Sequence, residues 1–149
     1  MNTSDYPAKE SGRREPLNEA FTPDMITELG PNDVLVFGSN LAGQHCGGAA
    51  RTAFQRFGAV WGEGEGLQGQ SYAIPTMHGG VAAIRPYVDR FIEFASQHPD
   101  LTFYVTRIGC GIAGFTARQI APLFGAATAL ANVRLPRDFA DILLNNRPA

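Results

Sequence analysis

The chain is poor in cysteine, in net charge and in long apolar runs, and each shortage removes a class of protein. Its 149 residues hold two cysteines, Cys46 and Cys110, and three histidines. Two thiols are too few for the disulfide framework of a small secreted scaffold. They also do not make a zinc site with so few histidines, so no metal is expected. No stretch reaches the roughly 18 consecutive apolar residues of a membrane span, so no membrane partner is expected. No leader pattern opens the sequence, which reads as a reducing, cytoplasmic setting with free thiols. A formal net charge of −2 excludes a broad basic footprint for nucleic acid or anionic lipid. The phosphate-loop pattern G-x-x-x-x-G-K-[ST] is missing, which removes the common ATPase architecture.

Hydrophobic residues make up 44% and charged residues 17% of the chain, a globular composition. The length fits one domain with a real core. Residues 1–20 are polar, without periodicity, and read as a flexible N-terminal tail; 21–149 read as a single domain. Glycine is abundant, 17 residues, and clusters in 38–48, 58–69 and 109–114. Such clusters suggest binding loops rather than linkers.

The pattern along the chain alternates. Thr22-Pro-Asp-Met-Ile-Thr-Glu-Leu-Gly30 predicts a short helix, with Thr22 as cap, Pro23 in the first turn and Gly30 as stop. Val34–Phe37 is a four-residue apolar run, as in a strand buried on both faces. A glycine loop through Gly38, Gly43, Gly47 and Gly48 then runs into a helix with Ala49, Ala53, Phe54 and Phe57 on one face, closed by Gly58. Residues 59–70 read as a long irregular connection, and Ser71–Pro75 as a short strand. Ile84, Val88, Phe91, Ile92 and Ala95 recur at helical spacing, with Pro86 expected in the first turn. Leu101–Ile108 gives the longest strand signal. A second glycine loop, Gly109–Gly114, precedes the capping box of Thr116 and Gln119. Pro122 is expected to break the helix begun there into a short turn and a longer helix carrying Leu123, Phe124, Ala127 and Leu130. Val133–Leu135 reads as an edge strand, and Asp138 as the cap of a short helix through Leu144 with a frayed end.

Alternating strands and helices predict an α/β fold, a three-layer α/β/α sandwich around a mostly parallel mixed sheet. Ligands of such sheets sit at the carboxyl ends of strands, where both glycine loops and the Pro75–Gly80 loop leave. Two strand–glycine loop–helix units point to phosphate, because helix N-termini present unpaired N–H groups and a partial positive charge. The first loop does not have the dinucleotide G-x-G-x-x-G spacing. Gly109-Cys-Gly-Ile-Ala-Gly114 has its letters, yet no acidic residue follows about 20 positions on after a second strand.

These blocks resemble those of macro domains, the ADP-ribose-binding modules. Phe37-Gly-Ser-Asn40 sits where that family carries Asn-Ala-Ala-Asn, and Leu41–Gly58 matches its glycine-rich loop and helix without a gap. Gly69-Gln-Ser-Tyr-Ala-Ile-Pro-Thr76 is similar to the strand written Tyr-Val-Ile-His-Thr. Ile108-Gly-Cys-Gly-Ile-Ala-Gly-Phe115 is similar to the second phosphate loop, Ile-Ser-Thr-Gly-Ile-Tyr-Gly-Phe. The correspondence spans about residues 33–131, and its wording looks like a group of small bacterial and phage proteins. The resemblance implies a macro-domain-like fold and a ligand set of Gly38, Ser39, Asn40, Gly47, Gly48, Cys110, Gly111, Ile112, Ala113, Gly114 and Phe115. In that set Asn40 contacts the distal ribose, Gly47 and Gly48 approach the ribose and diphosphate, and the N–H groups of 111–114 hold the diphosphate. Phe115 stacks near ribose or base. Two departures weigh against hydrolysis: Ala50 stands where hydrolytic members often carry aspartate, and Phe37 replaces the first Asn. Asp33 is the candidate acidic residue on the adenine side.

Several residues read in two ways. Asn40 and His45 are the candidates for catalysis, with Cys46 as an adjacent nucleophile; the alternative is a binding loop without chemistry. Cys110 reads as a nucleophile or as a small residue packed behind phosphates. A further alternative reading of Cys46 and Cys110 is a disulfide or metal pair across the cleft. His78 is a cleft or surface residue. Arg107 pairs with phosphate or with Glu63 or Glu65, and Trp61 is a base-stacking lid or a core anchor. The expected partner is ADP-ribose or a related nucleotide, with ADP-ribosylated protein or nucleic acid as carriers. No cofactor is expected. The alternatives are an ADP-ribosyl or phosphate-ester hydrolase, and a phage-related interaction protein without ligand chemistry. The apolar residues of 139–144, read as exposed, suggest a homodimer.

Overall fold

The structure is a computed structural model, and it describes residues 16–17 and 19–145. Of the tail expected over 1–20, residues 1–15 and 18 lie outside the described residues, as do 146–149 of the frayed end expected over 145–149. Among the described residues, five strands form one sheet: β1 (Asp33–Ser39), β2 (Gly66–Gln68), β3 (Ser71–Pro75), β4 (Thr102–Val105) and β5 (Val133–Arg134), in the order β2-β3-β1-β4-β5. The pair β2/β3 is antiparallel and the others are parallel, so the sheet is mixed, as expected. Between them lie the helices α1 (Gly48–Arg56), α2 (Val81–Ser96), α3 (Ala117–Ile120) and α4 (Arg137–Asn145), with a 3-10 helix over Ala121–Ala129. None of the described helices is long and apolar enough to cross a membrane.

Side chains of a strand alternate between the two faces of its sheet. Here both faces are apolar, which explains why β1 reads as an unbroken hydrophobic run. Val34 and Val36 enter one core with Tyr72, Ile74, Phe103 and Val105, covered by α2, the 3-10 helix and α4. Leu35 and Phe37 enter a second core with Ala73 and Tyr104, covered by α1 and by Ile26 and Leu29. The α2 stripe packs as its periodicity predicts, with Ile84, Val88, Phe91 and Ala95 buried. The helix starts earlier than expected, so Pro86 falls in its second turn.

Four expectations are corrected. Residues 22–30 form no helix. The Thr22 hydroxyl, expected to cap, donates to the Arg134 carbonyl instead, and Thr22 N–H donates to Leu135 O at 2.9 Å. The segment runs as a non-helical strap from the cleft, over the α1-side core through Ile26 and Leu29, to Gly30, whose N–H donates to Asp33 at the start of β1. Residues 59–70 are not wholly irregular: β2 pairs with β3 across a turn at Gly69–Gln70. The strand expected over 101–108 ends at Val105, because Thr106 turns the chain by receiving the Ile108 N–H at 2.7 Å. Phe139 is fully buried against Phe124, so the α4 stripe packs inward; only Leu144 of that stripe is strongly exposed. Pro122 does mark a division, between α3 and the 3-10 helix, whose nine residues are long for that geometry.

A buried carboxylate anchors the Gly30 end of the strap, where the Gln70 amide also donates to Gly30 O at 2.7 Å. Asp33 is buried, and its Oδ2 accepts the N–H of Leu17 at 2.9 Å and of Gly30 at 2.8 Å. Residues at the end of the expected tail are therefore docked: Leu17 on Asp33, and Glu19 on the Tyr104 hydroxyl. Hydrogen bonds to a charged acceptor are the strong kind, and removing the acceptor leaves donors unpaired. Asp33→Ala should lower the unfolding free energy by about 3 kcal/mol, read as a shift of the urea midpoint; a shift within error would show that the strap is held elsewhere.

Candidate functional site

β1 ends at Ser39 and the chain turns through Asn40–Gly47 into α1. The turn is closed by Asn40, whose Oδ1 accepts Gln44 N–H at 2.9 Å while its Nδ2 donates to Gln44 O at 3.1 Å. A second segment, Val60–Gly64, lies directly behind it. Gly62 N–H donates to Gly43 O at 3.0 Å, the Ser39 hydroxyl donates to Gly64 O, and the His45 Nε2–H donates to Val60 O at 2.8 Å. The two segments approach so closely that a Cβ on Gly43 would lie 2.3 Å from Glu63 N, and one on Gly64 would lie 2.2 Å from Asn40 O. Only glycine fits at either place. Gln68 fixes the segment in turn, accepting Val60 N–H at 2.7 Å and donating to Glu63 O at 2.9 Å. The expected long connection thus acts as a buttress for the first loop.

In front of that loop is a cleft of about 900 Å³ at the carboxyl ends of β1, β3 and β4. Gly38, Ser39 and Asn40 line it from β1, Thr76 and Met77 from β3, and Thr106–Gly109 from β4. The far wall is the strap, Thr22–Ile26, which sequence reasoning missed because its residues carry the signals of a helix. The start of α1 forms the floor. Its cap, Gly47, has no side-chain bond to the helix, and the first turn holds no acidic residue. The first intrahelical bond is Arg51 N–H to Gly47 O at 3.3 Å. The N–H groups of Gly48, Ala49 and Ala50 are left as helix-end donors, and all three residues line the cleft.

The second loop is built differently. Gly109 has a φ of 74°, and its carbonyl accepts Phe115 N–H at 2.8 Å, which folds the loop back on itself. The helix start beyond it carries a capping box: Thr116 accepts from Gln119 N–H, and the Gln119 side chain accepts Thr116 N–H. The first-turn donors it leaves, Ala117 and Arg118 N–H, belong to residues outside the cleft lining, so this helix N-terminus does not serve the cleft as expected. The loop N–H groups of Gly111, Ile112 and Ala113, three residues that line the cleft, have no acceptor among the described residues.

The sequence-derived site residues separate accordingly. Gly38, Ser39, Asn40, Gly47, Gly48, Gly111, Ile112 and Ala113 share the cleft. Cys110, Gly114 and Phe115 do not line it; Cys110 and Phe115 pack against the α2-side core. His45 is 1% exposed, with its Nδ1 buried and unpartnered. Its ring stands edge-on to Phe37 at 5.2 Å and faces away from the cleft lining. Asp33 lies at the opposite end of β1 from the cleft, engaged by the strap. His78 accepts Leu41 N–H at 2.8 Å and ties two loops together. Trp61 is 51% exposed and packs on Phe54, outside both cores and the cleft. Glu65 pairs with Arg90 at 2.7 Å, and Arg107 pairs with Asp138 rather than with Glu63 or Glu65.

Both thiols are free. Cys46 is exposed and lines the cleft. Cys110 is half-buried; burial pushes its thiol pKa up, and nearby Asp138 adds to this while Arg107 opposes it. Comparison of the chain with protein-family models, curated proteins and solved structures finds no match. Thiolate fraction and access set alkylation rates. Iodoacetamide at mildly alkaline pH should therefore label Cys46 first and Cys110 several-fold more slowly, read by peptide mass mapping; equal rates would contradict this placement.

Proposed function

We propose that the chain binds ADP-ribose or a related nucleotide diphosphate-sugar, on a three-layer scaffold of the macro-domain kind. The observation that carries this reading is the set of unpaired backbone donors from two loops, 48–50 and 111–113, around one cleft. A diphosphate carries acceptors on adjacent groups, and backbone N–H at a helix start and in a glycine turn suit it without a lysine. The volume supports an extended ligand. Small-molecule pockets run from roughly 300 to 1,000 Å³, and this cleft, about 900 Å³, is at the large end, more than a lone phosphate fills.

Binding is favoured over hydrolysis by the absence of a base in the first turn of α1. Ala50 occupies the place where the resemblance calls for aspartate, and His45 does not reach the cleft. Asn40 keeps its amide engaged with Gln44, so its contribution is a shaped loop rather than a free side chain.

Gly111 gives a clean test. Its φ is not in the left-handed region and a Cβ there meets nothing within 4 Å. Because Gly111 lines the cleft, a side chain at this position leaves the fold alone and adds bulk and charge at the cleft. Calorimetry should show saturable binding of ADP-ribose to the wild type, weakened at least about tenfold in Gly111→Glu, with an unchanged melting temperature. Absence of saturable heat with ADP-ribose, ADP and NAD at millimolar concentration would sink the nucleotide reading. Release of ADP-ribose from a modified protein by the wild type would replace a binding role with a hydrolytic one.

A further inference from the structure

Among the described residues that line the cleft, Arg107 is the one cation and Asp24 the one anion. Arg107 lies between the end of β4 and the second glycine loop, separated from Gly109 by Ile108 alone. Its carbonyl accepts Cys110 N–H at 3.2 Å, so the residue is part of the turn that presents Gly111–Ala113. Its guanidinium is held at 2.9 Å by Asp138 in the first turn of α4, the side chains being 60% and 41% exposed. An exposed pair of this kind contributes little and exchanges readily. A guanidinium is also a forked donor that fits phosphate oxygens as well as it fits a carboxylate.

Resting on the nucleotide-diphosphate reading above, we propose that Arg107 is the charge-reading residue of the site, and that Asp138 is a built-in competitor which the ligand's phosphate displaces. The backbone donors recognise the shape of the diphosphate. Arg107 recognises its charge, and does so only by leaving Asp138. The carboxylate therefore sets affinity without touching the ligand. It holds the guanidinium at the cleft edge when the cleft is empty, and it weakens the binding of every phosphate that enters. The site would thus discriminate against uncharged nucleosides and sugars, for which Arg107 gains nothing by moving. Asp138 also accepts Phe139 N–H at 3.0 Å through its other oxygen, so asparagine is the replacement that removes charge while keeping a hydrogen-bond acceptor.

The test is a double-mutant cycle by calorimetry on the full chain, with ADP-ribose, inorganic pyrophosphate and adenosine as probes. Arg107→Gln should weaken ADP-ribose and pyrophosphate about tenfold and leave adenosine unchanged. Asp138→Asn should tighten both charged probes about threefold. In the Arg107→Gln background, Asp138→Asn should have no effect, because there is no cation left to compete for. Melting curves establish that all variants fold. Unchanged affinity for the charged probes in Arg107→Gln overturns the proposal. So does an equal effect of Asp138→Asn in both backgrounds, which would make the carboxylate a general repulsion. Pyrophosphate binding that depends on Arg107 without any ADP-ribose binding keeps this inference and removes the nucleotide reading; binding of neither removes both.

Discussion

The site depends on one backbone-to-backbone contact. Val60–Gly64 presses against Ser39–His45 so closely that two of the facing residues have no room for a side chain. Everything in front of that contact inherits its position. The Asn40 turn, the entry into α1 and the open first turn of that helix are held from behind by the Gly62–Gly43, Ser39–Gly64 and His45–Val60 bonds. Without the buttress, a loop so rich in glycine would lose much conformational entropy on meeting a ligand. With it, the donors are already in place, and ordering is completed during folding rather than during binding.

The two loops solve the same problem with different means. The first exposes a helix start and leaves it uncapped. The second caps its own helix with Thr116 and Gln119 and offers only the turn that precedes it. The first is thus an electrostatic device, aligned with a helix axis. The second is a local nest of N–H groups whose direction is set by the Gly109–Phe115 bond. The His45 ring belongs to the framework. It carries the Val60 bond and fills space between Phe37 and Phe54, which makes it a spacer behind the loop.

The features legible in the sequence are those decided locally. The apolar run of β1, the stripe of α2 and the Thr116 capping box depend on residues within a few positions of one another, and the structure holds all three. The illegible features are decided by partners far along the chain. Thr22 has the side chain of a helix cap, but the Arg134 carbonyl, 112 residues away, takes its hydroxyl. Asp33 has the place of an adenine-side acid, but Leu17 and Gly30 occupy its oxygen. β4 is shorter than its β-branched sequence suggests because the turn at Thr106 ends its pairing. In the site, glycine clustering marks both loops that line the cleft, yet does not tell that only the first helix start lies on it. That difference is decided by how the Gly109–Phe115 bond folds the second loop back, not by the glycine count.

The glycines of the first loop therefore answer to two unrelated demands. Gly43, like Gly64 facing it from the buttress, exists for the neighbouring chain segment, since a Cβ on either would collide with backbone. Gly47 and Gly48 have room for a Cβ and serve the open side of the turn. A saturation library scored only for solubility and folding would keep the first pair and release Gly47, while substitutions at Gly48, with its φ of 58°, would strain the backbone. The residues that look most like a ligand signature are thus partly a record of how tightly two strands of backbone can be pressed together. Reading ancestry or ligand preference from glycine spacing alone would mistake mechanical fit for recognition.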